Sequence, residues 1–293
     1  MDLSIIIVNY KTYELTKNAI KSVLETVKSS YEIFVVDNDS QDASYEKLES
    51  RFNNEIASGK LKLVANVSNQ GFAAANNIAI KKSKGYYILL LNSDTIVKKG
   101  SIDNSLDYIK NHGDVGVVGC KIILPNGKLD NAAKRSFPTP KNSFYKLFGF
   151  YKFNKKSKSN NYNNYNLDDL DENGVYEVDS LVGAFMLVRK ETIEEIGLFD
   201  EDYFMYGEDI DWCYRIKQAD WKVIYYGKVE IIHYKGSSSK KQKSKLIYEF
   251  YRAMYLFYNK HYINEYSLLT RMAVYLGIAV LLIIKLFLNI FKR

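Results

Sequence analysis

Three apolar runs in the N-terminal part of this chain stop abruptly at polar residues: Leu3 to Val8 at Asn9, Ile33 to Val36 at Asp37-Asn38, and Tyr86 to Leu91 at Asn92-Ser93-Asp94. Between the first two, Leu15, Ala19, Ile20, Val23, Leu24 and Val27 recur at three- and four-residue spacing and mark one face of a helix. Strand, helix, strand in that order is the βαβ pattern of a parallel sheet, so the fold class is α/β. In such a sheet the polar strand ends converge on one rim, the edge where open α/β sheets bind ligands.

Ile88 to Leu91 reads as a strand buried on both faces, because a parallel strand covered by helices shows a continuous apolar run rather than alternation. Asp94 then falls where that strand emerges. An acid there can hold a metal, although Asn-Ser-Asp is also ordinary turn chemistry. Leu61 to Val64 predicts a further strand, Phe72 to Lys82 and Ile102 to Asn111 helices. Residues 134 to 176 change character, with Pro138, Pro140 and an Asn-, Lys-, Ser- and Tyr-rich stretch from Asn154 to Asn166 that cannot bury much apolar surface. That segment reads as a mobile excursion rather than a domain. Beyond it, Val178 to Arg189 predicts a strand, Thr192 to Ile196 and Asp209 to Gln218 helices, and Lys222 to Tyr226 and Glu230 to Tyr234 two closing strands. Residues 1 to 240 thus form one domain.

The formal net charge of +7 is located entirely in the tail. From Lys241 onward there are nine Lys and Arg against Glu249 and Glu265, which leaves the first 240 residues neutral. A basic tail suits nucleic acid or an anionic membrane, but Met272 to Phe291 is apolar apart from Lys285 and Asn289, so a membrane is the expected partner and nucleic acid is not. Lys285, Asn289 and Lys292 form a polar stripe on the distal half, which leaves a true span and an interfacial helix both open. The preceding aromatic stretch, Phe250, Tyr251, Tyr255, Phe257 and Tyr258 among it, fits either a helix packed on the domain or an interfacial aromatic belt. Residues 241 to 293 therefore read as helices for membrane association. The N-terminus reads as the first strand, having an acid where a signal peptide carries a base, and Cys120 and Cys213 stand far apart, as in a reducing compartment without a disulfide framework.

Glu208-Asp209-Ile210-Asp211-Trp212 places a dense acid cluster at a helix start, where the macrodipole stabilises carboxylates with or without a catalytic role. His233 ends an apolar strand and, alone, is more often a structural residue than a ligand.

Ser4 to Tyr10, Val35 to Ser40, Asn69 to Asn77, Leu91 to Asp94, Gly183 to Arg189, Phe199 to Glu201 with Glu208 to Asp211, and His233 follow one another in this order. In that ordered set the chain resembles the family 2 inverting glycosyltransferases of GT-A fold, especially their rhamnosyltransferase-like branch. It implies a Rossmann-like, mostly parallel sheet flanked by helices. It also implies that Asn9, Asp37, Asn38, Gly71, Asn76 and Asn92 line the donor pocket, and that Asp94 is the final acid of a D-x-D-like metal motif with His233 as a further ligand. Asn92 stands where that motif's first acid would be, which weakens the expected metal dependence. Hard oxygen donors suit Mg2+ or Mn2+, and a divalent ion there would neutralise the departing diphosphate. Asp209 is the expected general base, with Asp211 or Glu208 as substitutes, and Gly183, Glu208 and Trp212 are expected to border the acceptor.

No Gln-x-x-Arg-Trp sequence, phosphate-binding Gly-Lys-Ser/Thr loop or His-Glu-x-x-His is present. The expectation is a transferase at the cytoplasmic face of the cell membrane. It moves one sugar from a UDP- or dTDP-linked donor to a glycan acceptor, lipid-linked, in cell-surface polysaccharide synthesis. A nucleotidyltransferase acting on sugar phosphates places acids similarly, and a non-catalytic nucleotide-sugar-binding scaffold at the membrane is the other alternative.

Overall fold

The structure is a computed structural model, and it describes residues 1–140, 142, 165–235 and 243–291. The N-terminal half follows the sequence pattern closely. Strands β1 (Leu3–Asn9), β2 (Tyr31–Asp37), β3 (Leu61–Ala65) and β4 (Tyr87–Leu91) pair in parallel, in the order β3-β2-β1-β4. Helix α1 (Tyr13–Thr26) buries Ala19, Ile20 and Val23 of the stripe its spacing predicts, with Leu24 and Val27 packed at its margin, Leu15 half-buried and Thr16 buried in addition. Two short helices, α2 (Ser44–Arg51) and α3 (Asn53–Ala57), lead into β3, and α4 (Gly71–Lys82) leads into β4. Tyr87 to Leu91 are all buried, as expected of a strand covered on both faces.

The second half is mixed, and here several expectations are corrected. After β4 the chain makes a three-residue strand β5 (Thr95–Val97), the helix α5 (Ser101–Asn111), and strand β6 (Val115–Ile123). The reading above assigned no element to β5 or β6. A short β7 (Val175–Glu177) follows, and the strand expected over Val178 to Arg189 is confined to β8 (Phe185–Arg189). Residues before β8 are drawn off by Ser180, which bridges to Arg135. Helices α6 (Lys190–Ile196) and α7 (Glu208–Gln218) precede β9 (Lys222–His233). The two closing strands expected from the sequence are this one strand. The gap between them is a bulge, where Cys120 pairs with Tyr226 but Lys121 with Glu230.

Strand β8 lies antiparallel between β4 and β6, β6 runs parallel to β9, and β5 and β7 pair antiparallel with β9. The full order is β3-β2-β1-β4-β8-β6-β9-β5. The excursion expected over 134 to 176 is anchored at both described ends. Lys134 and Arg135 are buried, Ser136 N donates to Tyr165 O, and Gly227 N donates to Gly174 O. Most of the Asn154 to Asn166 stretch lies outside the described residues.

The tail packs on the domain. Helix α8 (Lys243–Phe257) and a following π-helical turn (Tyr258–Tyr262) bury Tyr251, Ala253, Phe257, Tyr258 and Tyr262, so the packed-helix alternative holds for this face, while Tyr248, Phe250 and Tyr255 remain exposed. The last helix is α9 (Leu268–Ile290).

The loop from Phe199 to Gly207 is clasped by the start of α4. Phe72 N donates to Phe204 O (2.8 Å), and Asn77 bonds the Phe199 backbone in both directions (2.9 and 3.1 Å). Gly71 sits at φ +88°, and a Cβ there would meet Phe204 O at 2.2 Å. Gly71→Ala therefore adds left-handed strain to a clash with fixed backbone, and is expected to lower stability by about 1–3 kcal/mol. Thermal or urea unfolding measures it, and wild-type stability would show that the loop yields.

Candidate active site

The polar ends of β1, β2 and β4 lie side by side, as the parallel register requires. Asn9 pairs in register with Asp37. Its amide donates to Asp37 Oδ1 (2.6 Å) and Ser40 Oγ (3.1 Å), while its carbonyl oxygen accepts from Thr12 (3.1 Å) and Thr16 (2.6 Å). Asn9 is completely buried with both ends of its amide occupied, so it orients Asp37 rather than facing a ligand. Asn38 donates to Asn69 Oδ1 (3.0 Å) and Gly71 O (3.1 Å) and accepts from Asn66 (2.9 Å), tying the β2 end to the α4 start. Asn76 turns back on its own helix to donate to Phe72 O (2.8 Å) and is 1% exposed.

Asp94 and His233 meet at the opposite end of this rim. The pairing of Thr95 with His233 in the β5–β9 ladder sets Asp94 Oδ1 at 3.0 Å from His233 Nε2, and Asn92 Nδ2 lies 3.5 Å from the same nitrogen. Asn92 Oδ1 is buried without a hydrogen-bond partner. Behind the imidazole, His233 Nδ1 is 3.6 Å from Asp130 Oδ2, and Asp130 is paired with Lys235 (3.0 Å). Burial alone would lower the His233 pKa, but Asp130 and Asp94 on either side raise it to about 9. Burial would likewise raise Asp130, yet His233, the Ala132 N–H and Lys235 hold its carboxyl well below the usual range.

Among the described residues no three His, Cys, Asp or Glu side chains form a closed metal cage. What converges instead is one carboxylate, one imidazole and one orphaned amide oxygen. That donor set fits a divalent cation with open positions, the imidazole giving up its Nε2 proton to bind it. An unpaired buried carbonyl oxygen costs about 1–3 kcal/mol, and a cation at this point would relieve it.

The third group stands at the N-terminus of α7. Gly207, at φ +83°, turns the chain into the helix, and Glu208 and Asp209 occupy the first turn, where the macrodipole favours carboxylates. Asp209 Oδ2 accepts from Arg135 (2.7 Å) and from Gly183 N (3.1 Å), and Oδ1 accepts from Ile210 N (2.8 Å). Arg135 comes from the segment read as a mobile excursion, and no local pattern marks it out from its neighbours. Burial would lower its pKa, but the Asp209 carboxylate raises it. Gly183 therefore acts through Asp209, and its neighbour Ala184 accepts from Asn92 N (3.1 Å), so the Asp94 and Asp209 ends of the rim are joined by backbone hydrogen bonds.

Glu208 is buried with Oε2 unpartnered, and burial together with the adjacent Asp209 charge raises its pKa to about 8. Asp211 is 1% exposed, with Arg215 (2.9 Å) and His261 (2.7 Å) on its two oxygens, so it ties α7 to the turn that follows α8. Trp212 lies in the interior. It is fully buried against Phe199 at 4.2 Å between ring centroids, with Nε1 donating to Gly197 O (3.0 Å).

A sheet of this order, with a cation-ready rim at the end of β4 and a helix-capped acid beside it, defines the GT-A class of nucleotide-sugar-dependent folds. The sequence profile of glycosyl transferase family 2 matches residues 4–197, and the chain belongs to that family. It is 26% identical over 236 residues to the low-salt glycan biosynthesis hexosyltransferase of Haloferax volcanii, covering 79% of this chain and 67% of that protein. It is 23% identical over 266 residues to an N-acetylglucosaminyl-diphospho-decaprenol L-rhamnosyltransferase of Mycobacterium tuberculosis, covering 87% of this chain and 83% of that protein. The crystal structure of GalNAc-T7 with UDP, GalNAc and Mn2+ superposes with a TM-score of 0.61 at 18% identity, over 81% of this chain and 45% of that one, which shows the shared fold.

The buried acid pair gives a pH-dependent stability with a defined sign. Glu208 has a folded pKa raised from 4.5 to about 8, so its contribution is complete below pH 4.5 and is lost as pH rises towards about 8. Glu208→Gln mimics the protonated acid. Its melting temperature relative to wild type is expected to be flat below pH 4.5, to climb between there and about pH 8 and then to level off, and a pH-independent difference would place the Glu208 titration elsewhere.

Proposed function

We propose that this protein transfers a single sugar, with inversion, from a UDP- or dTDP-linked donor to a lipid-linked glycan acceptor at the cytoplasmic face of the membrane, for cell-surface polysaccharide synthesis. The observation that carries the reading is the meeting of Asp94, His233 and the orphaned Asn92 oxygen on the same rim as the Asp209–Arg135 pair. The lipid-linked acceptor is supported by the diphospho-decaprenol substrate in the name of the mycobacterial relative and by the apolar tail helix.

Asp37, held by Asn9 and Ser40, offers an oriented carboxylate to the donor's base and ribose, and Asn38 fixes the Asn69 to Gly71 turn beside it. Asp94, His233 and Asn92 would hold Mg2+ or Mn2+, which when bound supplies charge neutralisation for the diphosphate. Asp209 takes the proton of the acceptor hydroxyl as that oxygen attacks the anomeric carbon, and the bond from that carbon to the diphosphate oxygen breaks in the same displacement. Arg135 and Gly183 N keep Oδ2 in place, which fixes the carboxylate plane before the acceptor arrives. Glu208, its pKa raised to about 8, is protonated near neutral pH beside Asp209.

Asp209→Asn is expected to lower kcat by about a thousandfold while donor affinity stays within a factor of a few. Turnover near wild type would remove Asp209 from this role. Asp94→Ala should abolish the Mn2+-dependent part of donor binding, measured by calorimetry with UDP-sugars and dTDP-sugars. The released product is nucleoside diphosphate; pyrophosphate would instead establish a nucleotidyltransferase, and donor binding without product a scaffold.

A further inference from the structure

Helix α9 is long and apolar enough to cross a membrane, with a mean hydropathy of 2.4 over its most apolar window. At 1.5 Å per residue its 23 residues measure about 34 Å. Its setting argues for a different use. It runs antiparallel along α8 and is fastened to it at both ends: Asn289 Nδ2 donates to Ser244 Oγ (3.0 Å), and Tyr275 OH donates to Asn259 Oδ1 (2.5 Å) beside the Tyr255 ring. The α8 segment is in turn fastened to the catalytic domain. Lys260 pairs with Asp200 and with Asp202 (2.7 Å), His261 with Asp211 (2.7 Å), and Arg252 donates to Asp202 O (2.5 Å). Lys245 lies over the Phe204 ring at 3.7 Å. A span perpendicular to the bilayer would either strip α9 from α8 or draw the charged α8 into hydrocarbon.

The polar residues of α9 are also directional. Leu269, Met272, Leu276, Val280, Ile283 and Phe287 succeed one another at three- and four-residue intervals, each between 44% and 80% exposed, and make an apolar stripe along the helix. By the same spacing Arg271, Lys285 and Asn289 gather on the other side, among Ile278, Leu281 and Leu282, and there Asn289 reaches α8. Polar groups gathered on one side of an apolar helix suit an interfacial position with that side towards the headgroups.

We propose that α9 lies flat in the cytoplasmic membrane interface, its apolar stripe among the acyl chains and the α8 side facing the headgroups, with anionic lipid as the preferred surface. The occupant follows from charge: residues 241 to 293 carry nine Lys and Arg against two acids, including Lys243, Lys245, Arg271 and Lys285 on or beside the helical hairpin. Basic residues beside an inserted apolar face strengthen binding to anionic bilayers. The inference rests on the reading that the tail meets a membrane, and adds that it rides on the bilayer without crossing it.

Full-length protein with single cysteines at Met272, Val280 or Phe287, labelled with an environment-sensitive fluorophore, tests this on phosphatidylcholine vesicles with and without phosphatidylglycerol. Cys120 and Cys213 are buried, which limits background labelling. The expected result is one shallow depth at all three positions by quenching from depth-graded nitroxide lipids, with binding at least tenfold tighter on the anionic vesicles. A Phe291→Cys variant should react with an impermeant maleimide added outside sealed vesicles. Val280 deepest with Met272 and Phe287 shallower, together with Phe291→Cys protected, would establish a span and overturn the proposal. Absence of binding to either vesicle would overturn it along with the membrane reading, while sugar transfer, assayed separately in detergent, stands or falls on its own.

Discussion

The candidate site depends on an antiparallel pairing only three residues long. Thr95, Ile96 and Val97 zip onto His233, Ile232 and Ile231, and the pairing is extended by Tyr234 N donating to Asp94 O (2.8 Å). Neither Asp94 nor His233 is placed by its own strand alone, because β4 and β9 are separated in the sheet by β8 and β6. The chain leaves β4, turns at Asn92 to Asp94, and crosses to the far edge of the sheet, and this crossing brings a carboxylate and an imidazole into contact. The turn is held from inside by Thr95 Oγ1 donating to Asn92 O (2.7 Å), and β5 is held from behind by Ser22 Oγ accepting from Val97 N (3.0 Å). Few ladder bonds support the junction, so packing of α1 beneath β5 carries much of its rigidity.

A second organising effect is electrostatic. The chain puts carboxylates at buried positions and gives nearly every one a specific counter-charge: Asp209 has Arg135, Asp211 has Arg215 and His261, and Asp130 has His233 and Lys235. Removing one member of such a pair strands the other in a poorly solvated place, which is why these contacts act as a framework. Asp37 is held by the neutral Asn9 and Ser40 instead, while Glu208 is buried beside a like charge and its proton takes the place of a counter-ion.

The parallel half of the fold was legible because its signal is local. Continuous apolar runs and a three-four helical stripe are properties of neighbouring residues, and β1 to β4, α1 and α4 all emerge where those patterns lie. The other half is specified by distant contacts. Strand β5 is too short to show a period, β6 carries Gly116 and Gly119 within its apolar run, and the bulge at Gly227 to Val229 splits the pattern of β9. At the site, Asp94, His233 and Asp209 stood out by position at element ends. Arg135 and Asp130 did not, since an arginine in a Lys- and Asn-rich stretch and an acid in a turn gain meaning only from the residues they reach across the fold. Asn9, Asn76 and Trp212 are buried with their polar groups on neighbouring protein atoms, as amide and indole groups in an interior require, and that orientation is not visible in their sequence neighbourhood.

The His261–Asp211 contact carries a practical consequence. Because α8 and its following turn brace the Phe199 to Gly207 loop and the first turns of α7, the greasy end of this chain is also a truss for the catalytic loop. Trimming it for the sake of solubility would remove that truss together with the lipid-facing helix, so a weakened trimmed enzyme would measure loop mechanics and membrane contact at once. Detaching α9 alone, beyond Tyr262, separates the two.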